Sequence, residues 1–185
     1  MAKCVSSFVL AIGSLLLFAS MAAGQAAPRQ CGYDRWPVKV LVDKDRQQVD
    51  FNPFDTTIAK LVGIPIHEIP YPRDRRIEPE ELRVYRLRAR LVKIRHEQDS
   101  DLHLILADLD KPSIQMIVEI PAPECGEGSS HQEDYRKARE AMSSIRIDDV
   151  VEVSGVGFFD FIHTADGAAK NGFELHPVIK IQRVP

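Results

Sequence analysis

The sequence predicts a mainly β domain with one helix (α+β), built as an OB-like five-stranded barrel in the order β-β-β-α-β-β. Five stretches alternate between apolar and polar side chains, as half-buried strands do, and one amphipathic helical stretch separates the third from the fourth. An open α+β sandwich is the alternative that this pattern allows. We divide the chain into a signal peptide (1–24), an N-terminal extension (25–80) and the barrel domain (81–185).

The composition and the first residues indicate an exported globular protein. Of the 185 residues, 44% are apolar and 28% are charged, which excludes a disordered or fibrous chain. Lys3 precedes an apolar run that ends at the small residues Ala22, Ala23 and Gly24, which is typical of a signal peptide. We therefore expect a secreted or periplasmic protein with no membrane span after signal removal. A retained signal anchor is the alternative.

The net charge of the chain indicates which classes of partner to expect. Removing residues 1–24 takes one of the 24 basic residues and none of the 27 acidic ones, leaving 23 against 27 and a net charge of −4. An acidic chain is a poor general binder of phosphate backbones, so nucleic acid is a less expected partner. The expected partner is an unknown small molecule, a glycan or an envelope protein.

The cysteines predict a disulfide. Three cysteines are present, and Cys4 would leave with the signal peptide. In an oxidising compartment, Cys31 and Cys125 then form the only possible intramolecular bridge. A closed loop of roughly 100 residues stabilises a fold by at most about 4.7 kcal/mol through loss of chain entropy in the unfolded state.

The extension has weaker patterns than the barrel. Val38–Val42 is a short apolar run that predicts a strand, and Asp55 is a suitable N-cap for a short helix over Thr56–Leu61. Tyr71–Pro79 is rich in proline and charge, which is typical of a linker.

The first three predicted strands of the barrel are Val84–His96, Asp101–Ala107 and Ser113–Ile120. The first changes the parity of its apolar positions near Val92, which indicates a bulge where one strand serves both halves of a small barrel. Pro121 ends the third strand.

The helix and the last two strands complete the predicted order. Ser130 followed by Glu133 forms a capping-box pattern at the start of the helix. Apolar residues then follow at helical spacing: Tyr135, Ala138, Met142 and Ile145. The remaining strands are predicted over Val150–Phe161 and Phe173–Val184, with a glycine-containing loop between them.

Five short motifs carry a resemblance. They are WPVK (36–39), DSDLHLILAD (99–108), MIVEIPAPEC (116–125), GVGFFDFIH (155–163) and GFELHPV (172–178). Together they resemble a widespread set of uncharacterised exported bacterial proteins. The resemblance implies export and a common fold, and it assigns no catalytic residue.

Two of these motifs pair a carboxylate with an imidazole. Asp101 and His103, like Glu174 and His176, are two residues apart, so each pair lies on one face of a strand near its start. Such pairs can bind a divalent metal, and mixed nitrogen and oxygen ligands suit zinc or manganese.

Strand pairing extends the two pairs into two groups. A turn centred near Lys111 places His103 opposite Glu119, and a turn near Asp166 or Gly167 brings Asp160 close to Glu174. The groups are His96, Asp101, His103 and Glu119; and Asp160, His163, Glu174 and His176. Both adjoin the loops that border the usual binding face of OB-type barrels. Strand topology alone does not force the groups to touch.

Two functions are consistent with these residues. Because no complete catalytic motif is present, we expect an exported binding or interaction module of unknown ligand. The alternative is a metal-dependent hydrolase, for example of phosphodiesters. Its predicted metal ligands are His103, Glu119, Asp160, Glu174 and His176. In the simpler interpretation, these residues are solvated side chains on the outer face of the barrel, and the histidines are hydrogen-bonded.

Overall fold

A computed structural model describes residue 1 and residues 30–32, 34–162 and 164–184 of the chain. Apart from its first residue, the expected signal peptide lies outside these ranges, as does His163. The strands in these ranges are β1 (Asp50–Asp55), β2 (Arg83–His96), β3 (Leu102–Asp108), β4 (Gln115–Ile120), β5 (Val150–Phe159) and β6 (Phe173–Arg183). The α-helices are α1 (Trp36–Lys39), α2 (Ile58–Leu61) and α3 (Gln132–Ala141).

Five of the strands close into a barrel. The order is β2-β3-β4-β6-β5, and β5 pairs again with β2. The β4–β6 pair is parallel and the other four pairs are antiparallel. Helix α3 lies between β4 and β5 in the chain. The predicted OB-like barrel is therefore confirmed, and closure excludes the open sandwich.

Strand β2 serves both halves of the barrel. Its first half pairs with β5 through Val84–Arg90, and its second half pairs with β3 through Ala89–His96. The register with β3 shifts between Leu91 and Lys93, where the sequence predicts a bulge. A bulge increases the local twist, which allows one strand to turn the corner of a small barrel.

The extension differs from its predicted structure at two places. Val38–Val42 is not a strand, because α1 covers Trp36–Lys39 and a turn follows it. Pro37 occupies the first turn of this helix, where proline is well tolerated. Helix α2 is capped by the side chain of Thr57, which accepts a hydrogen bond from the Lys60 amide, and not by Asp55.

Asp55 instead ends β1, which pairs in parallel with β2 outside the barrel. Its carboxylate accepts two hydrogen bonds from the Arg86 guanidinium, at 2.6 and 2.8 Å. The extension thus adds a sixth strand to the sheet within the described part of the chain.

The start of the barrel helix also differs from its prediction. His131, and not Ser130, is the N-cap of α3, and its side chain makes no capping hydrogen bond. Tyr135 and Ala138 are buried as the helical spacing predicts. The capping box is therefore wrong, while the apolar face of the helix is confirmed.

Buried ion pairs hold the extension against the barrel. The Arg35 guanidinium donates to both carboxylate oxygens of Glu81, at 2.6 and 2.7 Å, and both side chains are fully buried. Glu81 also accepts hydrogen bonds from the amides of Ile77 and Phe159, each at 2.7 Å. The stretch predicted as a linker is fixed in the same way, since the buried Arg76 pairs with Asp43.

The predicted disulfide is confirmed. Cys31 and Cys125 are bonded across 94 positions of the chain. Next to the bridge, the indole N–H of Trp36 donates to the Cys125 carbonyl at 3.2 Å. Disulfides of this kind are typical of proteins that fold in an oxidising compartment. Among the helices of the described ranges, none is both long and apolar enough to cross a membrane.

Candidate metal site

An open cleft of about 750 Å³ lies at the end of the barrel where β3 and β6 begin and β4 and β5 end. The β2–β3 loop (97–101) and the β5–β6 loop (160–172) both contribute to its lining, and so does the segment 30–34 of the extension. The corresponding loops border the binding face of OB-type barrels. The cleft is therefore where a ligand of this fold is expected.

The lining of the cleft is acidic. Its carboxylates are Asp34, Glu97, Asp99, Glu119, Asp160 and Glu174. Its lysine and arginine residues are Lys39 and Arg95, and Arg95 already pairs with Asp166 at 3.1 Å. A cleft lined mainly by one sign of charge concentrates ions of the other sign. This cleft therefore favours cations and disfavours phosphate groups.

A second cleft of about 550 Å³ offers less chemistry. It is lined partly by Asp55, Arg86 and Asp108. Arg86 is paired with Asp55, and the Asp108 carboxylate accepts hydrogen bonds from the amides of Ala59, Asp110 and Lys111. These groups fix the local backbone.

A chain of contacts between imidazoles and carboxylates begins at the acidic cleft and continues into the barrel. His103 and Glu119 line the cleft, whereas Asp101 and His176 do not and have no exposed surface. Nδ1 of His103 lies 2.8 Å from Oε1 of Glu119, and Nδ1 of His176 lies 2.7 Å from Oε2 of the same carboxylate. Nε2 of His176 lies 3.2 Å from Oδ2 of Asp101. Glu119 therefore joins the two histidines that the sequence placed in separate groups.

Local backbone structure positions these side chains. His103 and Glu119 are register partners in the β3–β4 hairpin, as the turn near Lys111 predicts. Asp101 follows a tight loop in which the Asp99 carboxylate accepts a hydrogen bond from the Asp101 amide at 3.2 Å. Such side-chain turns fix short polar loops.

These four side chains are buried. Asp101 and His176 have no exposed surface, and His103 and Glu119 are each 7% exposed. The rings of Trp36 and Phe158 stand edge-on to the His176 ring, with centroids 6.5 and 5.7 Å away. These four residues are therefore not solvated, because α1 of the extension and the end of β5 cover this part of the barrel, although His103 is hydrogen-bonded as the simpler interpretation expects.

Several polar atoms of the cluster lack a well-aligned hydrogen bond. They are both carboxylate oxygens of Asp101, Nε2 of His103 and both ring nitrogens of His176. The His176 contacts are short, but their alignment is not that of hydrogen bonds. Oδ2 of Asp101 and both nitrogens of His176 are nevertheless ion-paired when His176 is protonated, so Oδ1 of Asp101 and Nε2 of His103 are the cluster atoms with no partner among the described residues. A buried polar atom without a partner costs about 1–3 kcal/mol.

The geometry suits a metal ion. Ligand atoms of Asp101, Glu119 and His176 lie within 4.8 Å of one another. Bonds of roughly 2.0–2.2 Å at tetrahedral angles place two zinc ligands about 3.3–3.6 Å apart, so the more distant of these atoms would have to move closer together to share one ion. Each nitrogen of His176 faces a carboxylate. If one nitrogen binds the ion, the other can donate to a carboxylate, as in many metal sites.

The charges in the cluster shift its pKa values in opposite directions. Burial disfavours the ionised form of Glu119, but His176, His103 and Lys39 outweigh it and hold its pKa well below the usual range. Burial and the negative charges of Glu119 and Asp160 raise the pKa of Glu174 well above the usual range. Glu119 therefore ionises more readily than Glu174.

Two predicted residues line the cleft without joining the cluster. Asp160 pairs with Lys39 at 3.3 Å, and Glu174 is buried at the start of β6. Phe158 is the register partner of Glu174, so Asp160 lies two residues beyond the directly opposed position. His96 does not line the cleft, and His163 lies outside the described ranges.

Lys39 was not among the predicted site residues. It belongs to the WPVK motif on α1, and only 9% of its surface is exposed. Burial opposes its charge, but Asp160, Glu119, Glu174 and Asp101 raise its pKa above the ordinary value. The motif was the only sequence signal that could have drawn attention to it.

Comparison with known proteins adds little to these observations. No protein-family model matches the chain, and no curated protein matches it significantly. Among solved structures, the chain is similar to a protein named as an aspartyl-tRNA synthetase from Leishmania major Friedlin, with 16% identity and a TM-score of 0.44. The similarity covers 72% of this chain and 21% of that protein, so the chain spans about a fifth of its length.

Proposed function

We propose that the protein is an exported binding module that holds a divalent metal ion just inside the lining of the cleft, with Asp101, Glu119 and His176 as ligands. The observation that carries this proposal is the convergence of three buried ligand atoms within 4.8 Å of one another. Oδ1 of Asp101, which has no hydrogen-bond partner among the described residues, supports it, because an ion would satisfy this oxygen.

The ligand set favours particular ions. One imidazole and two carboxylates suit zinc or manganese. Copper(I) is selected by soft thiolate ligands instead. Both cysteines of the described ranges are used in the disulfide, so they supply no thiolate. His103 donates to Glu119 from outside the ligand set and would orient that carboxylate, as the partners of metal ligands commonly do.

Metal analysis of the purified oxidised protein tests the proposal. We expect one equivalent of zinc or manganese after dialysis, and we expect His176→Ala and Asp101→Asn to lose it. His131→Ala is the matched control, since His131 also contacts a carboxylate, that of Asp134 at 2.8 Å, but lies outside the cleft. Absence of metal from the parent protein, or equal loss in His131→Ala, would overturn the proposal.

A metal-dependent hydrolase is the second candidate. Three protein ligands leave an open position at which a metal ion can activate water. Of the three ligands, Glu119 lines the cleft of about 750 Å³, so a substrate would approach the ion from the side of Glu119. Its acidic lining would repel a phosphodiester, which makes a neutral or cationic ester or amide the better substrate class.

Turnover assays separate the two candidates. The zinc-loaded and manganese-loaded protein would be tested against ester, amide and phosphodiester substrates, with His176→Ala as the reference. Hydrolysis that requires both the metal and His176 supports the hydrolase. Stoichiometric metal without turnover above the His176→Ala variant supports the binding module.

A further inference from the structure

We propose that Lys39 is a built-in counter-cation of this site: its ammonium group balances the buried carboxylates in the metal-free protein and weakens binding of the metal ion. The inference rests on the proposed metal site, and it assigns a role to a residue of the extension. It concerns the affinity of the site, which the identity of the metal ligands does not determine.

The position of Lys39 carries the inference. Its side chain is 11% exposed, and its Nζ lies 3.3 Å from Oδ2 of Asp160 and 5.2 Å from the centre of the Phe158 ring. A buried ammonium group is costly unless opposite charges surround it. The acidic cleft provides those charges, and the aromatic face adds a cation–π contact.

The charges that hold Lys39 include those of the metal ligands. The carboxylates that raise its pKa are, after Asp160, those of Glu119, Glu174 and Asp101. Two of these belong to the proposed ligand set. Because Coulomb interactions are reciprocal, an ammonium group close enough to stabilise these carboxylates also repels a divalent ion bound between them. The low exposure of the cluster limits screening by salt.

Contacts on both sides of α1 fix the backbone that carries the ammonium group of Lys39. Helix α1 follows Arg35, whose guanidinium is locked onto Glu81, and Arg76 donates to the Val38 carbonyl at 3.1 Å. On the other side, the Trp36 indole is bonded to the Cys125 carbonyl. The backbone of Lys39 therefore stays beside the cleft, and its side chain, which is 11% exposed, keeps the ammonium group among the carboxylates of the cleft.

This arrangement gives the extension a direct effect on the barrel. Without Lys39, the metal-free site would hold excess negative charge and would bind cations more tightly. With Lys39, only an ion whose coordination outweighs the repulsion remains bound. The extension thus sets the lowest concentration of metal at which the site fills.

Isothermal titration with zinc tests the inference through a pair of substitutions. Lys39→Met removes the charge and keeps the length of the side chain, whereas Lys39→Arg keeps the charge. We expect Lys39→Met to bind zinc about tenfold more tightly than the parent protein, and Lys39→Arg to remain within about threefold of it. Circular dichroism establishes that each variant is folded. If Lys39→Met does not fold, Lys39→Gln, which can still donate to Asp160, replaces it.

The outcomes distinguish the inference from the proposed function. Equal or weaker zinc binding by the folded neutral variant overturns the role of Lys39 and leaves the metal site standing. Absence of zinc from both the parent and the neutral variant overturns the metal site itself, and the inference with it. Zinc binding by the neutral variant alone overturns the proposed function of the parent protein, while it shows that the ammonium group excludes the ion.

Discussion

Val118 of β4 and Leu175 of β6 are register partners in the parallel pair of the barrel. The residues that follow them, Glu119 and His176, consequently lie side by side, with Oε2 and Nδ1 2.7 Å apart. This contact joins the MIVEIP and GFELHP motifs at the cleft. The candidate site therefore depends on the closure of the barrel and not on any single hairpin.

We expect the metal-free protein to lose stability as the pH rises. Burial disfavours the charged ring of His176, but Glu119 and Asp101 outweigh burial and the repulsion of Lys39, and they raise its pKa from 6.5 to about 9. The folded protein then keeps a proton that the unfolded chain has lost. This contribution is complete below about pH 6.5 and disappears as the pH rises through about 9.

Urea unfolding of the chelator-treated protein across this pH range measures the effect. We expect the free energy of unfolding of the parent to fall with pH more steeply than that of His176→Asn. Identical slopes in the two proteins would contradict this assignment, because every other titrating group is common to both.

The disulfide should stabilise the fold substantially. Replacing both Cys31 and Cys125 by serine is expected to lower the free energy of unfolding by about 2–4 kcal/mol, since the bridge closes a long loop. Proteases should then cleave first near Trp36, whose indole is held beside the bridge. Reductant should destabilise the parent and leave the double variant unchanged. Two reactive thiols from Cys31 and Cys125 in the denatured, unreduced protein would contradict the prediction.

The buried pair between Arg35 and Glu81 should be far more important than an exposed one. Arg35→Met leaves the Glu81 carboxylate buried without its cation, which is expected to cost about 3–5 kcal/mol. Arg73→Ala breaks the exposed pair with Asp34 and is expected to cost at most about 1 kcal/mol. Denaturant unfolding of the two variants compares them directly, and equal losses would be inconsistent with this ranking.

Gly157 in the GVGFFDFIH motif is required by close packing. A Cβ at this position would lie 2.4 Å from the Glu80 carbonyl oxygen, which belongs to the backbone and cannot rotate away. We expect Gly157→Ala to destabilise the protein by about 1–3 kcal/mol. Gly63→Ala is the control, because its nearest atoms would be at an ordinary 3.4 Å. A melting temperature of Gly157→Ala equal to that of the control would refute the prediction.

The barrel strands could be predicted from the sequence because the pattern that marks each strand lies within the strand itself. Alternating side chains mark each half-buried strand, and a short turn fixes the register of a hairpin. The turn near Lys111 therefore sufficed to place His103 opposite Glu119. The disulfide followed from the cysteine count.

The union of the two groups could not be predicted in the same way. β4 and β6 are parallel and far apart in the chain, so no turn fixes their register. The burial of charged residues could not be predicted either. Charged residues such as Lys39, Arg35 and Glu81 are expected at the solvated surface unless their partners are known. Alternation reports which face of a strand is polar, but not whether another segment covers that face.

The parallel contact between β4 and β6 also determines when the site comes into existence. Contacts between segments distant in the chain form slowly, because the loops between them must first be closed at a cost in entropy. Until β4 meets β6, Glu119 and His176 are apart, and no ion can be held by both. The proposed ion would therefore bind only at the end of folding. The metal content of a preparation would then report the fraction of chains that are fully folded.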